Sequence, residues 1–343
     1  MGKYRCAIIG CGGRATMHAL AYQLIDRGTL VACCDLVTER RERLARDFGL
    51  RPYADAAEMV EQENPDLVHV VTLPTARVEL MQIVSDRGVP ACLVEKPIAY
   101  QVRDWRALRE LEARSRTRFG VGAQFRYHAT LTRCREALRS GRLGRVLFLD
   151  ASAGGTIADQ GVHTLDWAMS LNEDVPVVRV FGQASGAKEM TGRQPSPDTT
   201  VAQLLFANGV RGLWHLGHTA PRVGDDSAYY KHCRVAAYAE GGRTLYEEFG
   251  QWEVVSREGV EGGLVANNDE WLAGNHAAQA ALTNAMFDWM EDEAKPVGTN
   301  LRRVLAQWNV ILGLYASAVE HRPVDLPFEP ADGLWEALGE TLK

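Results

Sequence analysis

The chain has 343 residues, with 38 basic and 44 acidic side chains for a formal net charge of −6, and 46% of it is hydrophobic. At about 150 residues per domain this length predicts two domains or three, and the ordinary globular composition excludes disorder and collagen-like repeats. The acidic balance argues against a nucleic-acid binder or a basic membrane-surface protein, because both targets are polyanions.

From the N-terminus, short apolar runs alternate with helix-like stretches. The runs lie at 5–10, 29–35, 66–72, 90–95 and 119–122, rich in Val, Ile or Cys and apolar on both faces, as in a covered parallel sheet. Between them, Thr38 to Phe48 and Asp104 to Arg114 have helical spacing and charged outer faces. The alternation predicts an α/β Rossmann domain, a doubly wound parallel sheet, over residues 1–122. The turn after the first run reads GCGGRA. Gly10 permits the tight turn, Gly12 lets a pyrophosphate approach the N–H groups of the next helix, and Ala15 lets that helix pack on the sheet. A plain glycine-rich turn is the alternative. Here, however, the motif follows a buried strand, opens a helix, and precedes Asp35, about 20 residues on, at the end of the second strand. A carboxylate there accepts ribose hydroxyls and repels a 2′-phosphate, favouring NAD over NADP. Arg40 and Arg41 either rescue a phosphate or form a solvated helix face.

Past residue 123 the rhythm changes. Helices are expected at 129–139 and 160–171 around a strand at 145–152. Strands follow at 177–185, 200–207, 209–218, 233–240 and 251–256, with hairpin turns at 207–209 and 240–242, then helices near 274–292 and 300–320. This predicts an α+β C-terminal domain, residues 123–343, with a large, mostly antiparallel open sheet and a tail able to pack back on the first domain. Residues 186–198 read as a flexible loop, and Tyr229 to His232, an aromatic-basic cluster after a Gly-Asp-Asp turn, either line a pocket or form a sheet edge, the simpler reading. Within 158–171, Asp159, His163 and Asp166 fall at i, i+4 and i+7 and share one face of a helix whose other side, with Leu165 and Met169, meets the core. Flanking carboxylates fix an imidazole's tautomer, which suits a general base; a satisfied interior histidine or a metal site are the alternatives.

None of the seven cysteines forms a CxxC pair, and Cys6, Cys33, Cys34 and Cys92 sit in strand-like runs, so all seven read as reduced and structural. No run reaches 18 apolar residues, and a strand begins by Tyr4, leaving no room for a signal peptide. A cytoplasmic protein is the expectation.

VEKPIA at 94–99 stands at the end of a predicted parallel strand, where such folds place ligands. Taken with GCGGRA, Asp35, the segment 122–151, DQGVHTLD at 159–166 and ASAVEHRPVDLP at 316–327, it makes nearly the whole chain resemble the glucose-fructose oxidoreductase, inositol dehydrogenase and rhizopine-catabolism (Gfo/Idh/MocA) family. One departure is Arg77, where that family often has histidine in a turn near the cofactor. The resemblance implies that Lys96 and His163 are catalytic and that Asp159 binds substrate or tunes the pair. A lysine ammonium beside the reacting oxygen stabilises alkoxide charge, and His163 takes the hydroxyl proton; a surface Lys96 paired with Glu95 is the alternative. Cofactor contacts are expected from Gly10, Gly12, Gly13, Arg14, Ala15, Asp35, Thr72, Pro74, Glu95, Lys96 and Pro97. Substrate contacts are expected from Gln124, Arg126, Tyr127, Asp159, His163 and Trp271, with Trp271 and His276 also readable as core.

The expected activity is NAD(P)-dependent oxidation of a secondary hydroxyl on a sugar, glycoside, cyclitol or related polyol, or reduction of the ketone, without metal. Two alternatives stay open. One is glycoside cleavage by transient oxidation and elimination; the other is a non-catalytic NAD-sensing regulator. A homodimer or homotetramer through the open sheet is expected from the resemblance.

Overall fold

The structure, a computed structural model, describes residues 3–192, 194–223, 228–265 and 267–343. The opening Met1-Gly2, Arg193 of the expected loop and the Gly-Asp-Asp turn at 224–226 lie outside the described residues. The chain divides into two compact units. The first comprises 1–99, 104–127 and 275–305, and the second 100–103, 128–274 and 306–343.

The first unit is built on β1 (Tyr4–Ile9), α1 (Gly13–Ala21), β2 (Gly28–Cys34), α2 (Thr38–Phe48), β3 (Arg51–Tyr53), α3 (Ala56–Glu63), β4 (Leu67–Val70), α4 (Arg77–Asp86), β5 (Ala91–Glu95), α5 (Val102–Arg114) and β6 (Arg118–Gly122). The strands form one parallel sheet in the order β3-β2-β1-β4-β5-β6. This doubly wound order reverses between β1 and β4, and ligands bind beyond the C-terminal strand ends at such a point. Every residue of β4 and β5 is buried, which explains their mostly apolar runs, interrupted by His69 in β4 and ended by Glu95 in β5. The strand β3 escaped the sequence reading because it has only three residues, Pro52 among them, and two are exposed.

The second unit holds α6 (Ala129–Arg139), β7 (Val146–Ala153), a π turn (Ile157–Gly161), α7 (Val162–Leu171), β8 (Val177–Ser185), β9 (Thr199–Phe206), β10 (Arg211–Gly217), β11 (Cys233–Ala239), β12 (Gly242–Glu247), β13 (Gln251–Ser256) and β14 (Gly259–Leu264). The long helices α8 (Asn268–Glu291) and α9 (Leu301–Glu320) follow, then β15 (Val324–Asp325) and α10 (Leu334–Thr341). Among the described residues the sheet has nine strands, β14-β13-β12-β11-β7-β10-β9-β8-β15, antiparallel except for β7 beside β10. Leu149, Trp214, Val235 and Tyr246 are buried on one face. Their strand neighbours Phe148, Leu213 and Tyr238 lie 38%, 38% and 41% exposed on the other, as the two-residue period requires. Tyr229 to His232 do not form the expected sheet edge. They lead into β11, an interior strand between β7 and β12.

Residues 275–305 return to the first unit, a grouping that no single boundary at 122/123 describes. Leu282, Met286 and Phe287 of α8 share a buried core with Tyr4, Cys6, Ala21, Leu67 and Leu93, and the Phe287 ring stacks on Tyr4 at 4.6 Å. The edge strand β6 is closed by the same return, where Val121 N–H donates to the Thr299 carbonyl at 2.8 Å. The last 38 residues, 306–343, group instead with the second unit.

Candidate active site

In the first unit the candidate residues gather at the C-terminal edge of the parallel sheet. Gly10 leaves β1 with φ +93°, and a Cβ there would lie 2.4 Å from the Val71 carbonyl oxygen, so only glycine fits. Gly12 and Gly13 face open space, with nothing within 4 Å of where a Cβ would stand. Ala15 is fully buried against Ile8, Cys33 and Leu44, which seats α1 on the sheet. Asp35 follows β2, and its carboxylate accepts from the Cys11 N–H at 2.7 Å and the Val37 N–H at 2.8 Å, joining the glycine turn to the start of α2. Arg40 is exposed, whereas Arg41 donates to the Asp35 carbonyl at 3.2 Å.

The turns after β4 and β5 are fastened together by Arg77, which is only 2% exposed. Its guanidinium donates to the Thr72 carbonyl at 2.6 and 3.2 Å, to the Lys96 carbonyl at 3.2 Å, and to the Pro97 carbonyl. The family departure noted in the sequence is thus a clamp on the backbone that carries Lys96. Pro74 is buried in this turn, and the buried Thr72 hydroxyl has no protein partner. Glu95 ends β5 and is buried, while Lys96 is half-buried. The Glu95 Oε1 accepts from Arg14 Nε at 2.9 Å and from His18 Nε2 at 2.8 Å. Burial alone would raise this carboxyl's pKa, but Arg14 and His18 hold it well below the usual carboxylate range. Gly122 on β6 leaves the room this carboxylate needs, since a Cβ there would come within 2.7 Å of Oε1.

Gln124, Arg126 and Tyr127 occupy one short helical turn, Gln124–Tyr127. The Tyr127 hydroxyl accepts from Gly298 N–H at 3.0 Å, and Arg126 packs on Gly298, so both are engaged with the returning segment. Gln124 is buried, and its Oε1 has no protein partner.

In the second unit, His163 and Asp166 lie on α7, and Asp159 lies on the preceding π turn. The expected single helical face is therefore broken. The wider turn shifts Asp159 out of the 3.6-residue register, a local distortion that recurs at functional sites. Nor is α7 amphipathic, because every residue from His163 to Leu171 is buried. Asp166 accepts from Gln307 Nε2 of α9 at 2.9 Å, and His163 stacks on Trp167 with centroids 6.3 Å apart. Asp159 is half-buried and hydrogen-bonded to the Tyr229 hydroxyl, and its charge is the leading cause that pushes the Tyr229 pKa up to about 12. Trp271 donates through Nε1 to Glu248 at 3.3 Å, and the buried Lys231 ammonium lies 5.7 Å from its ring centroid and 4.1 Å from that of Phe249. His276 is half-buried, with no protein partner at Nε2. Among the described residues, no group of three or more His, Cys, Asp or Glu side chains is arranged to hold a metal ion. No helix among them is long and apolar enough to cross a membrane.

Residues 4–123 match the oxidoreductase family with an NAD-binding Rossmann fold, and residues 148–235 match the GFO/IDH/MocA C-terminal domain. The chain is 31% identical to myo-inositol dehydrogenase Hyg17 of Streptomyces leeuwenhoekii over 63% of this chain and 70% of that protein. The chain belongs to the Gfo/Idh/MocA oxidoreductase family. Its likeness to D-apiose dehydrogenase of Paraburkholderia graminis is 26% identity, but spans 94% of this chain and 90% of the relative. An oxidoreductase from Agrobacterium radiobacter, solved with NAD+, L-tartaric acid and magnesium, shares the fold at a TM-score of 0.81 and 19% identity, covering 94% of this chain and 98% of that one.

As a member of this family the chain is an NAD-dependent oxidoreductase. Its own residues fit the dinucleotide. Gly12 and Gly13 leave space over the start of α1, Asp35 presents a carboxylate after β2, and the Thr72 hydroxyl is buried with no protein partner. No sequence motif marks His18, His69 or Tyr22, and Tyr229 stands in the sequence as part of a pocket lining or a sheet edge. The first three are ordinary residues of a helix, a strand and a short turn, and only their meeting across the sheet marks them. For Tyr229 the signal was its place in an aromatic-basic cluster, and the missing information was the partner Asp159, 70 residues earlier.

Proposed function

We propose that the chain oxidises a secondary hydroxyl of a sugar, cyclitol or related polyol, or reduces the corresponding ketone, with NAD as its coenzyme. The observation that carries this reading is the anchoring of Lys96. Its backbone is clamped by Arg77, and its neighbour Glu95 is ion-paired to Arg14 of the glycine turn, so the lysine is fixed at the sheet edge where the coenzyme is expected. Relatives named D-apiose dehydrogenase and myo-inositol dehydrogenase support a polyhydroxylated substrate. When bound, NAD supplies the nicotinamide that takes or gives a hydride. The Lys96 ammonium donates a hydrogen bond to the reacting oxygen and stabilises alkoxide character. His163 holds the proton exchanged with the hydroxyl, and Asp159, oriented by Tyr229, accepts from a neighbouring substrate hydroxyl. Gln124 supplies a further acceptor through its unpartnered Oε1.

The seven free, buried thiols agree with a reducing, cytoplasmic setting. The exposed Phe148, Leu213 and Tyr238 on the open sheet face support self-association there into a dimer or tetramer. The test is an NADH absorbance screen over aldopentoses including D-apiose, inositols and glycosides, with NAD and NADP in parallel and light scattering on the same sample. Coupled turnover with a free polyol supports the reading. NAD binding with no turnover on any member would overturn it in favour of a sensor, and aglycone release without NADH accumulation in favour of glycoside cleavage.

A further inference from the structure

Behind Glu95 runs a string of buried polar side chains that no step above uses. His18 of α1 contacts Glu95 through Nε2 at 2.8 Å, and its Nδ1 lies 3.1 Å from Nδ1 of His69 on β4. The far nitrogen of His69, Nε2, lies 2.7 Å from the Tyr22 hydroxyl. Both imidazoles are 0% exposed. At the near end, the Glu95 oxygen that meets His18 also takes Arg14 Nε at 2.9 Å, and Arg14 reaches on to Gln279 Oε1 at 2.9 Å. All of these residues belong to the first unit.

The hydrogens in this string have one consistent arrangement. Glu95 is an ionised acceptor, so His18 must donate through Nε2. Burial disfavours the charged imidazole, so the neutral His18 ring keeps a lone pair on Nδ1. His69, also buried and neutral, must then donate through Nδ1 and accept the Tyr22 proton at Nε2. A single carboxylate thereby fixes the tautomers of two rings. Tyr22, itself partly buried, packs against the hydrophobic core of the unit that includes Cys6 and Leu67. Two imidazoles in a Rossmann core are expensive to desolvate, and apolar residues would fill the same volume at lower cost. What they add is a fixed carboxylate at the residue before Lys96.

We propose that His18 is a positioning residue for coenzyme binding: its Nε2–H holds the Glu95 carboxylate, and Glu95 holds the Arg14 guanidinium beside the Gly12-Gly13 turn, so the dinucleotide meets a preset cation. The proposal rests on NAD binding at that turn, and its test separates the two. Calorimetric titration with NAD compares the unsubstituted chain with H18Q and H18N, alongside thermal melts of the free proteins. Glutamine places an amide N–H where Nε2 stands, whereas asparagine places one nearer Nδ1 and loses Glu95. H18N is expected to weaken NAD binding by about tenfold or more, the order for losing a hydrogen bond to a charged group, while H18Q stays within about threefold. Both should melt at similarly lowered temperatures, so the affinity difference does not follow stability. Equal NAD affinity in the two variants overturns the positioning role. Should either variant fail to fold, nitrogen-15 spectra of the unsubstituted protein decide. His18 as the Nε2–H form with His69 as the Nδ1–H form supports the string, and any other pair of forms overturns it. An unsubstituted chain that does not bind NAD would remove the premise and the proposal with it.

Discussion

Arg77 offers the sharpest test of how the lysine is held. Its guanidinium reaches the carbonyls of Thr72, Lys96 and Pro97 from a position only 2% exposed. A hydrogen bond from a charged donor contributes about 1.5–3 kcal/mol net, and a buried carbonyl left without a donor costs about 1–3 kcal/mol. The desolvation of the guanidinium itself offsets part of that gain. Replacing Arg77 with Lys keeps the charge but cannot span three carbonyls, because one ammonium lacks the planar fork. R77K is therefore expected to destabilise the first unit by about 2–4 kcal/mol. At about 2–4 °C per kcal/mol for a unit of this size, its melting transition should fall by roughly 4–16 °C. Freeing the Lys96 turn by even a fraction of an ångström should also lower kcat by about tenfold to a hundredfold, since misplacement of that order is costly. Calorimetric melting of the free protein and NAD-coupled turnover on the best polyol of the screen would measure the two effects. R77M should lose at least as much of both. If R77K melted and turned over like the unsubstituted chain, the clamp would be idle and the anchoring of Lys96 would need another cause.

Other consequences are as direct. K96A should lower turnover by about a hundredfold or more while leaving NAD affinity within about threefold; a collapse in NAD affinity with turnover retained would refute its role. D35N should weaken NAD and improve NADP relative to it by about tenfold or more, measured by parallel titrations, because it removes the charge that repels a 2′-phosphate. The lowered pKa of Glu95 means its contribution to stability is present above its ordinary value of 4.5 and is lost as pH falls below that value toward the folded one. E95Q should accordingly flatten the acid limb of the melting curve, and an unchanged limb would show that Glu95 is not the group responsible. D159N should bring the Tyr229 titration, held up to about 12, back toward an ordinary phenol in ultraviolet difference spectra.

How much of this was legible beforehand depended on whether the signal was local. Strands such as β4 and β5 announce themselves because a sheet covered on both faces needs near-continuous apolar runs. Asp35 could be read because the distance from a glycine turn to the end of the next strand is nearly fixed by a β-strand, helix, β-strand unit. By contrast β14, with every residue exposed and three glycines among six, has neither hydrophobic period nor propensity. The π turn at Ile157–Gly161 was invisible for a related reason, since an extra residue in one turn leaves the composition of a helix unchanged.

The same distinction explains why the motif Glu95-Lys96-Pro97 could be found while its support could not. The strand end is a local pattern, whereas Arg14 and His18 lie 81 and 77 residues before Glu95, and Gln279 lies 265 residues after Arg14. Arg14 is expected from the sequence as a coenzyme contact, but nothing local ties it to Glu95, and no motif marks His18. Yet the pair is spaced i, i+4, so a single face of α1 brings both to the same carboxylate oxygen. That coincidence is the informative one. On the proposed reading, the helix whose N-terminus faces the coenzyme phosphates would, one turn later, orient the residue before Lys96, so that one rigid element links coenzyme binding to the placement of the lysine. Shifting α1 along the sheet would disturb both at once, and the small, fully buried Ala15 between Arg14 and His18 marks where the helix packs on the sheet. A15V should therefore impair NAD affinity and turnover together, as measured by titration and coupled assay. Loss of one without the other would show that α1 does not act as a single body.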